Sequence, residues 1–130
     1  MANVQTLMFV ESRYKLNRER IKAVVKRTLS LSDVQTSVEV SVAIVGDRKM
    51  KKLNEKYRGK EGTTNVLSFP LSEGEQTKLP VEDNVVRLGD IVVSYPVLIK
   101  EAGRDEMLVD VKIEQLVEHG LHHLLGIHHE

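Results

Sequence analysis

The chain has 130 residues, 41% of them hydrophobic and 29% charged, and no cysteine. That is the make-up of one globular domain over residues 1–130 that folds without disulfides, and it excludes disordered and collagen-like classes. No apolar run approaches the roughly 20 residues that span a bilayer. Met1 to Val10 lacks both the basic start and the apolar length of a secretory signal, so the expected address is cytoplasmic and no membrane partner is expected. The formal net charge of zero conceals a division. Residues 1–60 carry 14 of the 19 Lys and Arg and 6 of the 19 Asp and Glu, a net +8, and residues 61–130 carry the balancing −8. Such a split arises from a basic binding face or from two halves that attract each other in the fold, although charge runs usually just cover solvated faces.

Val4 to Val10 reads as a short strand, poorly alternating and therefore expected to be buried. Apolar Ile21, Val24, Val25 and Leu29 recur at helical spacing between Asn17, a good N-cap, and a turn at Ser32-Asp33. Ser37 to Ile44 alternates strictly, the pattern of a strand with one buried face. Gly46-Asp47 opens a second helix in which Met50, Leu53 and Tyr57 form a narrow apolar stripe among Arg48, Lys49, Lys51, Lys52 and Lys56. Gly59 and Gly62 mark a loop, and Thr64 to Phe69 is a third strand stopped by Pro70. The polar, acidic segment from Leu71 to Asn84 reads as a surface loop. Val85 to Ser94 is a fourth strand, with Gly89-Asp90 as a bulge or a point of close approach. Ser94-Tyr95-Pro96 starts a helix that ends near Gly103, and a last helix runs from Met107 to Leu125. The order β-α-β-α-β-β-α-α predicts an α+β domain, a small mixed sheet of about four strands packed by helices.

All five histidines fall within residues 119–129. On a helical wheel Val109, Ile113, Leu116, Val117, Gly120 and Leu124 share one arc of roughly 100°, the buried stripe. His119 and His123, four residues apart, lie above one another on its flank, and His122 falls almost opposite, toward solvent. Gly126 can end the helix in a left-handed turn and send the chain back, bringing His128 or His129 to the pair. Three imidazoles with one open position make a catalytic zinc arrangement. The spacing His-x3-His-x5-His also resembles that of zincin metalloproteases, but those carry the general-base Glu after the first His, where this chain has Gly120.

At these residues the sequence resembles the YbeY family, the zinc-dependent endoribonucleases of bacterial ribosomal RNA maturation. Of the family signature His-Gly-x-Leu-His-Leu-x-Gly-x-Asp-His, the residues His119-Gly120, His123-Leu124, Gly126 and His129 match. Two further blocks are similar: Leu53-Asn54 through Tyr57-Arg58-Gly59-Lys60 to Thr64-Asn65-Val66-Leu67-Ser68-Phe69-Pro70, and Leu88-Gly89-Asp90-Ile91-Val92. The chain departs from the signature at His122, where the family has Leu, and at His128, where it has Asp, which leaves His128 or His129 open as third ligand. The family pattern continues into an acidic helix beyond Glu130.

The resemblance implies a zincin-like fold with a metal-binding C-terminal helix. It also implies one Zn2+ per chain, held by His119, His123 and His129, and hydrolysis of single-stranded RNA. The implied setting is the maturation of the small-subunit ribosomal RNA 3′ end and ribosome quality control, with the small subunit or assembly factors as partners. Arg58 stands where the family has an important Arg, and a guanidinium suits bidentate phosphate contact. The basic faces of the first two helices, with Lys49, Lys52, Lys56 and Lys60 among them, would track the RNA backbone. Asn65 and Ser68 are candidates to orient water or phosphate. No residue is identified as general base. The competing readings are a metal-dependent hydrolase of another substrate and a non-catalytic, zinc-containing ribosome-assembly factor.

Overall fold

The computed structural model describes residues 3–32, 36–70 and 85–126, and its elements follow the predicted order. They are β1 (Val4–Val10), α1 (Arg18–Leu31), β2 (Ser37–Val45), α2 (Asp47–Arg58), β3 (Val66–Pro70), β4 (Val85–Ser94), α3 (Tyr95–Arg104) and α4 (Val109–Leu124). The expected turn at Asp33 and the acidic loop from Leu71 to Asn84 lie outside the described residues. The strands form one sheet in the order β1-β2-β4-β3. β1, β2 and β4 run parallel, and β3 runs antiparallel to β4 at one edge.

The alternation of β2 divides the core. Val38, Val40, Val42 and Ile44 are at most 2% exposed and pack with Ile91 and Val93 beneath α1, α3 and α4. Ala43 and Val45 point to the opposite face, where Met50 and Leu53 of α2 meet Leu67, Phe69 and Val92. Each fully buried aliphatic side chain contributes about 1.5–3 kcal/mol, so both faces are held, the first by many more residues than the second. Local signals end the helices as read. The Asn17 side chain accepts from the Arg20 N–H, the Ser94 hydroxyl accepts from the Val97 N–H, and Gly59 closes α2 in the left-handed conformation.

Two expectations are corrected. β1 is not a buried strand. It is the free edge of the described sheet, and Phe9 is 60% exposed, because α1 covers only one of its faces. Nor do the two basic helices make one face. α1 and α2 lie on opposite sides of the sheet, since β2 alternates and each helix packs against a different set of its side chains. The charge division instead works partly as attraction between the halves: Arg20 of α1 is ion-paired with Glu114 and Asp110 of α4.

The bulge expected at Gly89 is present. The pairing of β2 with β4 skips Leu88, passing from Glu39↔Arg87 to Val40↔Gly89. Gly89 has φ +142°, and a Cβ there would fall 2.2 Å from the Phe69 carbonyl oxygen. Only glycine permits β3 to approach so closely. Pro70 still pairs with Gly89, which it can do on an edge strand.

A polar chain ties β3, α3 and α4 together. The Asn65 side-chain amide donates to Glu101 at 3.0 Å. Nearly buried Lys112 places its Nζ 4.0 Å from Glu101 and 3.0 Å from Asp105. The Arg104 and Lys112 hydrogen bonds hold the Asp105 carboxyl down to about 2, below its usual 3.8. A carboxyl whose pKa falls on folding contributes stability that is present above its ordinary value and lost as pH drops through the folded one. Asp105→Asn is therefore expected to lower the thermal midpoint at pH 7, and the gap from the parent protein should close between pH 4 and pH 2. A gap that persists unchanged to pH 2 would show that the Asp105 charge is not what holds this corner.

Candidate active site

Three segments converge beside the second half of α4. Helix α4 seats its glycine against the sheet: a Cβ on Gly120 would lie 2.9 Å from Ile91 Cγ2, so the helix rests directly on β4. The same residue explains why the zincin pattern is interrupted. Position 120 faces Ile91 of β4, so the side chain of a glutamate there would have to displace the packing of helix on sheet. β3 contributes Ser68, whose Oγ lies 3.0 Å from His123 Nδ1. Its neighbours alternate, with Val66 packing toward the α4 side and Leu67 and Phe69 toward α2. Helix α2 ends on Arg58, beside the left-handed Gly59.

These segments enclose a cavity of about 300 Å3 whose lining includes Arg58, Lys60, Ser68, His119 and His123. Thr63, Thr64 and the carboxylate of Glu61 complete its loop side. Asn54 shapes that loop. Only 5% exposed, it donates from its side-chain amide to the Gly62 carbonyl at 3.1 Å, and its own carbonyl accepts from the Lys60 N–H at 3.4 Å. Sequence reasoning did not single out Asn54, although a polar residue inside a helix one turn before Arg58 was a signal of that role.

The placement of the remaining candidates is uneven. His119 and His123 are exposed and His122 is half-buried, the reverse of the wheel's ranking. A wheel measures distance from one apolar stripe and carries no information about the opening beside it. Gly126 adopts the expected left-handed turn, φ +79°, with its N–H donating to the His123 carbonyl at 3.1 Å. His128 and His129 lie outside the described residues, and among the described residues no group of three His, Cys, Asp or Glu could hold a metal. Lys60 reaches the cavity, whereas Lys49 and Lys52 line a different one, with Arg13, Glu11 and Asp47 at the opposite end of α2. Lys56 is exposed, its Nζ 5.2 Å from the Tyr57 ring centre. Asn65 turns away to Glu101 and is a structural tie.

The model of the family described as endoribonuclease YbeY matches residues 7–130. The chain belongs to that family. Endoribonuclease YbeY of Acinetobacter baylyi is 38% identical over 115 residues, 88% of this chain and 71% of the relative. That of Syntrophus aciditrophicus is 35% identical over 120 residues, 92% of this chain and 72% of the relative. A Thermotoga maritima protein known from its solution structure shares the fold, with a TM-score of 0.62 and 23% identity over 97% of this chain and 75% of that one. The YbeY match thus takes in every segment of the cavity.

The close seating of α4 carries a consequence for stability. Alanine is the better helix former by about 1 kcal/mol, but forcing a methyl onto buried, β-branched Ile91 costs about 1–3 kcal/mol. Gly120→Ala is expected to lower the unfolding free energy by about 1 kcal/mol in urea titrations. A variant more stable than the parent would mean that the helix has room to spare.

Proposed function

We propose that this cavity hydrolyses phosphodiester bonds of single-stranded RNA with one zinc ion, and that its setting is ribosomal RNA maturation and ribosome quality control in the cytoplasm. The natural substrate would be the 3′ end of the small-subunit RNA, and the small subunit or its assembly factors would be the partners. The observation that carries the reading is the meeting of Arg58 with the His119–His123 pair on one cavity, in a chain of a family of endoribonucleases.

The donors fit zinc. Two imidazoles four residues apart on an exposed helix flank are two of the three in a three-histidine set, and His129 or His128 would supply the third. Bound zinc would supply Lewis-acid stabilisation of the charge that develops at phosphorus. The protein's own groups do the rest. The Ser68 contact sets the orientation of the His123 ring, and with Nδ1 as the donor it leaves Nε2 as the lone-pair nitrogen. Arg58 presents a planar, permanently charged fork to the phosphate oxygens. Lys60 adds a second cation, and Glu61 partly offsets the two. The Asn54 bonds hold the loop that carries Lys60 and Glu61.

The test pairs metal analysis of the purified protein with cleavage of a single-stranded RNA, with and without chelator. His123→Ala is expected to lose stoichiometric zinc and all cleavage while keeping its far-UV spectrum; zinc retained at one per chain would remove His123 from the site. Arg58→Glu is expected to keep zinc and lose cleavage by about 100-fold or more. Undiminished cleavage in that variant would take Arg58 out of the chemistry.

A further inference from the structure

A second cavity, of about 730 Å3, shares Arg58, Ser68 and His123 with the first but differs in chemistry. Its walls are chiefly apolar and aromatic, with Leu53 and Tyr57 from α2, Val92 from β4 and Phe69 from β3. Its polar floor is the Ser41 hydroxyl donating to the Asp90 carboxylate, between neighbouring strands β2 and β4. Tyr57 is 56% exposed. Its ring meets Phe69 edge-on, with centres 5.3 Å apart and planes at 66°. Tyr57 touches the sheet through the edge of Phe69 yet leaves more than half of its surface open over the cavity, so the packing of α2 uses only part of this aromatic ring.

The two cavities differ in charge balance. In the first, Arg58 and Lys60 outweigh Glu61 and attract phosphate. In the second, the Asp90 carboxylate on the floor offsets the shared Arg58 and no lysine among the described residues joins it, and the aromatic walls favour a flat, uncharged group. A nucleotide chain alternates these two chemistries. A strand whose phosphate rests on Arg58 therefore brings a flanking base to Tyr57, the preceding residue on the same helix. We propose that Tyr57, supported by Phe69, stacks a base next to the scissile phosphate, and that this contact is what selects unpaired RNA. The inference rests on the RNA-cleaving reading and adds its base subsite. Bases in a duplex have both faces covered by their neighbours, whereas an unpaired base can be splayed onto an aromatic side chain.

The experiment uses the zinc-loaded full chain as wild type, Tyr57→Ala and Tyr57→Phe, with thermal midpoints confirming that all three fold. Single-stranded RNA oligonucleotides carry 2-aminopurine at one position at a time, and fluorescence is followed in stopped flow before cleavage. One position beside the cleaved bond should be quenched by wild type and by Tyr57→Phe, but not by Tyr57→Ala. KM for single-stranded RNA should rise about tenfold in Tyr57→Ala, as expected for loss of one stacked base, with kcat much less affected and with recovery in Tyr57→Phe. An abasic residue at the quenched position should cost wild type the same factor and Tyr57→Ala nothing more. An unchanged KM in Tyr57→Ala, or an abasic penalty equal in both proteins, would overturn the stacking site. Equal quenching by duplex and single-stranded RNA would overturn its role in selection. Tyr57-dependent quenching without any cleavage would support the base site and remove the nuclease reading, whereas neither binding nor cleavage would remove both.

Discussion

The candidate site depends on how closely α4 rests on β4. Two glycines, one on each element, set that distance. Gly120 on the helix lies against Ile91, and Gly89 on the strand lies against Leu124 of the helix and the backbone of Phe69. A Cβ at either position would collide with a neighbour that is backbone or tightly packed side chain. With the helix down on the sheet, His123 comes within hydrogen-bond distance of Ser68 on β3, and both histidines line one cavity with Arg58 at the end of α2. A protein interior this dense transmits small displacements. A shift of the helix would part His123 from both Ser68 and Arg58, although neither glycine belongs to the cavity lining.

A second device holds the same geometry from the side. Asn65, Glu101, Lys112, Asp105 and Arg104 link the start of β3 to the end of α3 and the first half of α4. Lys112 is nearly buried, and such an ammonium is tolerable only with carboxylates beside it. The pairing explains why charged residues occupy the seam between two helices. It also fixes the lengthwise position of α4, which the glycine contacts, acting across the helix, leave less constrained.

The charge division of the sequence takes on a local meaning in the fold. α1 uses part of its positive charge against the acidic side of α4, through Arg20 with Glu114 and Asp110. α2 lies on the other face of the sheet and delivers Arg58, with Lys60 just beyond, to the histidines. The cation contribution to the cavity comes from the end of one helix and its following loop rather than from a stripe along two. The neighbouring cavity, with its Ser41–Asp90 floor and its Tyr57–Phe69 wall, shares Arg58 but is more apolar and carries no lysine among the described residues, and a phosphate next to a base is the ligand proposed to use both.

Much of this was legible in residue order. Helices and strands follow from short-range periodicity and from capping groups within three or four residues, so Asn17, Ser94, Gly59 and Gly126 acted where the sequence placed them. The spacing of His119 and His123 determined that both would stand on one flank of one helix, whatever the rest of the chain did. Exposure and neighbourhood were not legible. Whether β1 lies at an edge, which sheet face each basic helix covers and which way Asn65 turns all depend on contacts between residues far apart in the chain. Periodicity describes a helix or strand relative to its own axis and is silent about what packs beside it. The sequence alone therefore determined which chemical groups this protein carries and on which elements. Only the tertiary structure decided that Arg58, Ser68 and the two histidines share one cavity, which depends on how closely α4 and the sheet approach each other, and that Lys49 and Lys52 line another, because the far end of α2 packs beside the segment after β1.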